Sequence, residues 1–162
     1  MNKFKVKFST YCIVVTLAVL ILLVVGLVSL RGIDMKMNLM IVVVVCLLGA
    51  GIFYCPVSIG VTHEAMIIHR LLKNRIISYS DISSVERCSP SAGGLRLCGS
   101  GGFMGYWGYF HDIIIGSYFG YYGDRSQCVL IRLKSGRQYV VSCEQPNLML
   151  EVINKYLPAS GV

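Results

Sequence analysis

Hydrophobic and polar positions follow two different rhythms along this chain. Tyr11 to Leu30 (YCIVVTLAVLILLVVGLVSL) is twenty residues without a charge, and Met37 to Val57 (MNLMIVVVVCLLGAGIFYCPV) is a second uncharged run. Neither carries a polar stripe, so each predicts a helix that is apolar on every face. Twenty helical residues are enough to cross a hydrocarbon layer of about 30 Å. The link from Arg31 to Asn38 is so short that the two runs must fold back as an antiparallel hairpin. The competing reading, a helical hairpin buried in a water-soluble core, needs more covering chain than the remainder supplies. A cleaved signal peptide fits poorly, because its apolar region would be about 7–15 residues and no small-x-small site follows Leu30.

After Tyr54 the pattern changes to short alternating runs broken by turn residues. Val57–Thr62, Met66–Arg70 and Arg75–Tyr79 read as strands, with Thr62-His63-Glu64-Ala65 and Leu72-Lys73-Asn74 as the turns. Ser80-Asp81 offers capping oxygens ahead of Ile82 and Val85, consistent with a helical turn leading into a further strand. Gln127–Lys134 and Arg137–Cys143 read as a hairpin closed by the two-residue turn Ser135-Gly136. That register sets Arg132 opposite Tyr139, Leu130 opposite Val141 and Cys128 opposite Cys143. Pro146 suits a first helical position, and Leu148, Met149, Val152, Ile153, Tyr156 and Leu157 repeat on one face until Pro158 stops the helix. Six or seven short antiparallel strands and one amphipathic helix make an α+β unit, a bent sheet or small open barrel capped by its C-terminal helix.

Composition narrows the class. Hydrophobic residues make up 55% and charged residues 14% of the 162, against about 25% charge in soluble domains, which excludes a disordered chain. The net charge of +7 is spread out, so no nucleic-acid footprint forms and no nucleic-acid partner is expected. Its placement still matters. Lys3, Lys5 and Lys7 precede the first apolar run, and Arg70, Lys73 and Arg75 follow the second. The positive-inside rule then puts both termini in the cytoplasm. Seven cysteines, an odd number with no CxxC pair, fit thiols kept reduced. The Cys128–Cys143 pair reads as packing, with a disulfide as the alternative.

Three segments together carry a resemblance: Ser58–Glu86 (SIGVTHEAMIIHRLLKNRIISYSDISSVE), Leu95–Phe110 (LRLCGSGGFMGYWGYF) and Val129–Ile153 (VLIRLKSGRQYVVSCEQPNLMLEVI). The run Ile77-Ser78-Tyr79-Ser80-Asp81-Ile82-Ser83-Ser84-Val85, the Gly/aromatic segment and the hairpin-plus-helix ending resemble the bacterial pleckstrin-homology-like (PH-like) domains. Many of these follow a two-span membrane hairpin. The resemblance covers about residues 56–157 and implies an adaptor-like domain with no catalytic residue set and no cofactor. The implied organisation is a basic cytoplasmic N-terminus at 1–10, transmembrane helices at 11–30 and 37–57, and a PH-like domain at 57–162. Superfamily members that bind phosphoinositides use a basic first turn. Thr62-His63-Glu64-Ala65 has no Lys or Arg, which disfavours specific inositol-phosphate binding.

Candidate chemistry concentrates in Gly99–Gly123, which holds eight glycines and nine aromatics. It has no GxxxxGK[ST] and no Lys, so it is not a phosphate loop. Its rings either pack on the domain itself or contact the membrane or a partner. The candidates for contact are Phe103, Tyr106, Trp107, Tyr109, Phe110, Tyr118, Phe119, Tyr121 and Tyr122, since Tyr and Trp favour the headgroup level and interfaces alike. Arg70, Lys73 and Arg75 are either a solvated turn or contacts for anionic headgroups. His63, His69 and His111 are dispersed, so no metal site is expected. His111-Asp112 is the only adjacent His/Asp pair. The expected function is a membrane-anchored, non-catalytic PH-like binding or scaffolding module in the bacterial inner membrane. Its partners would be the lipid bilayer and a protein partner or a second copy. The alternative is a membrane sensor that binds a small apolar ligand between the Gly/aromatic segment and the sheet.

Overall fold

A computed structural model describes residues 2–29, 35–91 and 93–157, with side chains at all of these but 27–29, 35–37, 40 and 47. The chain begins with strand β1 (Asn2–Lys5), then helices α1 (Thr10–Ser29) and α2 (Met35–Tyr54). Nine more strands follow: β2 (Pro56–Val61), β3 (Ala65–Arg70), β4 (Arg75–Ser78), β5 (Ile82–Cys88), β6 (Leu95–Gly102), β7 (Gly105–Asp112), β8 (Gly116–Tyr122), β9 (Cys128–Leu133) and β10 (Gln138–Ser142). Helix α3 (Pro146–Tyr156) closes the fold.

Two sheets form. One is antiparallel in the order β1-β2-β3-β4, and the other runs β5-β9-β10-β8-β7-β6, with β10 and β8 parallel. The expected six or seven antiparallel strands are therefore ten, and one pair is parallel. The extra strands come from two segments read otherwise in the sequence. Lys3-Phe4-Lys5-Val6-Lys7 alternates strictly, and Phe4 and Val6 are buried while the three lysines are exposed. The N-terminus is thus an edge strand paired with Ser58–Val61, not a free basic tail. Its polar positions are all lysine, so the same residues that carry the charge also write a period of two. The Gly/aromatic segment supplies β7, β8 and half of β6. Glycine inside a strand normally weakens it, which hides these strands from propensity.

One apolar core lies between the two sheets and α3. Ile59, Val61, Met66, Ile68, Val129, Ile131 and Val141 are sealed there with Met149 and Ile153 of α3. Leu148, expected on that helical face, is exposed. The second core lies on the opposite face of the six-stranded sheet and gathers Tyr106, Phe110, Tyr118, Tyr122, Leu130 and Val140. That sheet is curled. Its edges β5 and β6 would lie about 24 Å apart if flat, nearly the full reach of the connecting chain. Yet the Ser91 N–H reaches the Asp112 carboxylate at the end of β7, 2.8 Å away.

The β9–β10 register differs by one residue from the expected one. Leu130 faces Val140, Ile131 faces Tyr139 and Cys128 faces Ser142. The turn is Lys134-Ser135-Gly136, closed by Leu133 N–H to the Arg137 carbonyl at 2.9 Å. Gly136 takes φ +80°, the left-handed residue of a three-residue hairpin. Cys128 and Cys143 are consequently buried free thiols, and the cysteine opposite Cys128 on its other side is Cys88 of β5.

Among the described residues, no helix is long and apolar enough to cross a membrane. The spans expected at 11–30 and 37–57 are therefore not shown as such. The second helix ends at Tyr54, because residues before a proline avoid helical dihedrals and Pro56 and Val57 enter β2. Half of the expected link, residues 31–34, lies outside the described residues, as does residue 30 at the end of the first expected span.

Candidate functional site

The helix pair is spliced into the first sheet between two neighbouring strands, β1 and β2, so both of its ends are rooted at one place. Val6 N–H donates to the Val57 carbonyl across the two roots, 3.2 Å. The Gly123 carbonyl accepts from Ser9 N–H at 2.9 Å and from the Cys12 thiol at 3.3 Å. A Cβ at Gly123 would strike the Lys7 carbonyl, so glycine is what lets these backbones meet.

From this root the pair leans on the β6–β7 hairpin. Cys12, Val15, Thr16, Val19 and Leu23 form one stripe of α1 at helical spacing, and each faces that hairpin or the root beside it. Val44, Leu48 and Gly51 do the same on α2. Gly102 leaves room for Tyr11 and Val15, and Gly51 leaves room for the Phe103 ring. Gly51 therefore serves contact with the β6–β7 hairpin. Met104 N–H donates to Thr16 Oγ1 at 2.9 Å. Met104 itself has φ +52°, a costly conformation for a non-glycine residue. The Phe103 carbonyl accepts from Ser100 Oγ at 2.8 Å and from Trp107 Nε1 at 3.2 Å, and Trp107 stacks on Tyr54, ring centres 5.3 Å apart.

The nine rings divide by strand parity. Tyr106, Phe110, Tyr118 and Tyr122 point into the second core, and Tyr121 points into the first; all five are buried. Phe103, Trp107 and Phe119 are half-buried at the junction with the helices. Tyr109 alone is mostly open, at 58%. The exposed apolar residues on this flank are instead Leu95, Leu97, Ile113 and Ile114, the last two at the β7–β8 turn and 96% and 85% exposed. Aromatic counting missed them because they are aliphatic and flank the glycine-rich stretch.

Arg70 and Arg75 are engaged by rings. The Arg70 guanidinium lies 5.2 Å from the Phe53 ring centre and 5.6 Å from those of Tyr54 and Tyr121, and its Nε donates to the Lys73 carbonyl at 2.6 Å. Arg75 donates to the Tyr139 hydroxyl at 3.0 Å. These are cation–π contacts that tie β3 and β4 to the helix base and to the second sheet. Lys73 is exposed.

Between the helix pair and β6–β7 lies a partly open cavity of about 250 Å³. Val19, Leu23, Val44, Leu48, Phe103 and Trp107 wall it, with Arg96 and Ser100 as its polar members. It adjoins the Gly/aromatic segment on the helix side, where the sequence suggested the sheet side.

Reactive chemistry finds little footing. His111 and Asp112, adjacent on a strand, face opposite sides: His111 is exposed against Ser117 Oγ, and Asp112 is buried against Ser91, Ile114 and Ile115. Burial pushes the Cys88 thiol up to about 12 and the Cys143 thiol up to about 11, the opposite of an activated nucleophile. Among the described residues, no three His, Cys, Asp or Glu side chains are grouped to hold a metal ion.

Two packed sheets closed by a C-terminal helix define a PH-like α+β domain. Residues 57–156 match the family described as Bacterial PH domain, and the chain belongs to that family. No curated protein and no solved structure matches it. Such a domain points to a binding or scaffolding module, a class that is generally non-catalytic.

Proposed function

We propose that this protein is a membrane-anchored, non-catalytic binding module, with the outer faces of the α1–α2 pair in the bilayer as an antiparallel hairpin and the β6–β7 edge of the PH-like domain lying along its inner face. The observation that carries the reading is the apolar surface of the pair. Each helix has 20 residues, about 30 Å end to end. Away from β6, α1 exposes Ile13, Leu17, Ile21, Leu22 and Val25, and α2 exposes Leu39, Val42 and Val45. Soluble monomers rarely carry an apolar surface of that extent. Both roots sit in adjacent strands, so the two helix ends share one side of the membrane. Lys3, Lys5, Lys7 and Lys73 are exposed on that side, which supports the cytoplasmic face of the bacterial inner membrane.

Leu95, Leu97, Tyr109, Ile113 and Ile114 extend the apolar surface at the boundary between domain and lipid. A protein partner or a second copy of the chain is the competing occupant of that flank. Flotation of the full chain with vesicles, followed by extraction at alkaline pH, tests the anchor. The chain is expected to float and to resist extraction; recovery in the aqueous fraction after detergent-free lysis would sink the reading. A second reading, a sensor for a small apolar ligand, is favoured by the cavity beside Trp107.

A further inference from the structure

We propose that the cavity between the helix pair and β6–β7 binds the hydrocarbon chain of a single-chain amphiphile with an anionic head, a long-chain fatty-acid carboxylate, with Arg96 as the head-group ligand. The proposal deepens the sensor reading. It rests on the contact of the helix pair with β6–β7, not on insertion of that pair into lipid.

Three features select this class. The walls are aliphatic and aromatic, drawn from both helices and both strands of the hairpin, so hydrocarbon suits the space and ordered water does not. A volume of about 250 Å³ is room for roughly eight groups of water's size at about 30 Å³ each. That accepts a stretch of one chain and is too small to take both chains of a diacyl lipid side by side. The charge is positive and single. Ser100 Oγ is already spent on the Phe103 carbonyl; among the described residues Arg96 is the one charged group on the wall and no ion pair reaches it. Arg96 folds back along β6, its Nη1 2.7 Å from where a Cβ would stand at Gly101. A glycine there gives the guanidinium a path along the strand, where it can present its paired N–H donors to a carboxylate.

The chain carries its own reporter. Trp107 is the single tryptophan and it lines the cavity. Brominated stearate, whose bromines quench indole at contact, is titrated into the full-length protein in detergent micelles, with the matching brominated alcohol in a parallel titration. Saturable quenching is expected, at least tenfold tighter for the acid than for the alcohol. Arg96→Gln, a change at an exposed side chain, should remove the tenfold preference and leave the alcohol unaffected. Leu48→Phe, which narrows the cavity, should weaken both.

Quenching that never saturates and follows only the ratio of probe to detergent would overturn the proposal. So would equal affinity for acid and alcohol, or a preference that survives Arg96→Gln. A chain that floats with vesicles but fails these titrations loses the ligand and keeps the anchor; saturable quenching in a chain that does not float does the reverse.

Discussion

Removing the charge of Asp112 tests how the curled sheet is held shut. The side chain is 1% exposed. Its Oδ2 accepts from Ser91 N–H at 2.8 Å, and its Oδ1 accepts from Ile114 N–H at 2.8 Å and Ile115 N–H at 3.3 Å. One carboxylate thereby fastens the β5–β6 connection to the β7–β8 turn. Burial alone would raise its pKa, but the hydrogen bonds from Ser91, Ile114 and Ile115 outweigh it and hold the group at about 2, below the usual 3.8. The difference corresponds to about 2 kcal/mol of stability at neutral pH. A lowered folded-state pKa contributes fully above the unfolded value and is lost as the pH falls through about 2, with roughly half remaining at pH 3. Asp112→Asn should therefore lower the melting temperature of the full chain in micelles by about 4–8 °C at pH 7, given 2–4 °C per kcal/mol at this size. The deficit should shrink to roughly half at pH 3. Trp107 fluorescence or near-UV circular dichroism reads the transition. No loss at pH 7, or a deficit of the same size at pH 3, would refute the charge-based account.

Other expectations concern positions where the backbone leaves little choice. Gly99 and Gly108 face each other across β6 and β7 at φ +120° and +123°, and a Cβ on either would collide with the partner strand's backbone. Gly108→Ala should cost at least about 3 kcal/mol, seen as loss of the cooperative unfolding transition. Phe4→Ala removes a ring 7% exposed in the first core and should cost about 3 kcal/mol. Lys3→Ala, at an exposed neighbour, should be nearly neutral; urea titration followed by Trp107 fluorescence reads all three variants.

Local residues carried much of this fold. From Val57 to Asp81 the alternation and turn residues mark β2, β3 and β4 to within a residue or two, because a strand with one buried face must write period two into its own sequence. Helix α3 was equally legible from its apolar stripe. Both long helices were plain as apolar runs, yet a run apolar on every face cannot say which side meets protein. Only tertiary contact chose Cys12, Val15, Thr16, Val19 and Leu23 for β6–β7 and left Leu22 to the outside. The β9–β10 register turned on whether Gly136 ends a two- or a three-residue turn, a matter of one dihedral angle. Most glycines between Gly99 and Gly123 are the points where strands, helix and rings approach too closely for a side chain. Steric closeness of that kind exists only between segments far apart in the chain. For the same reason the cavity and the Ser91 arm of the Asp112 clasp had no local signature: their parts come from elements separated by some twenty residues or more and meet only once the sheet has curled.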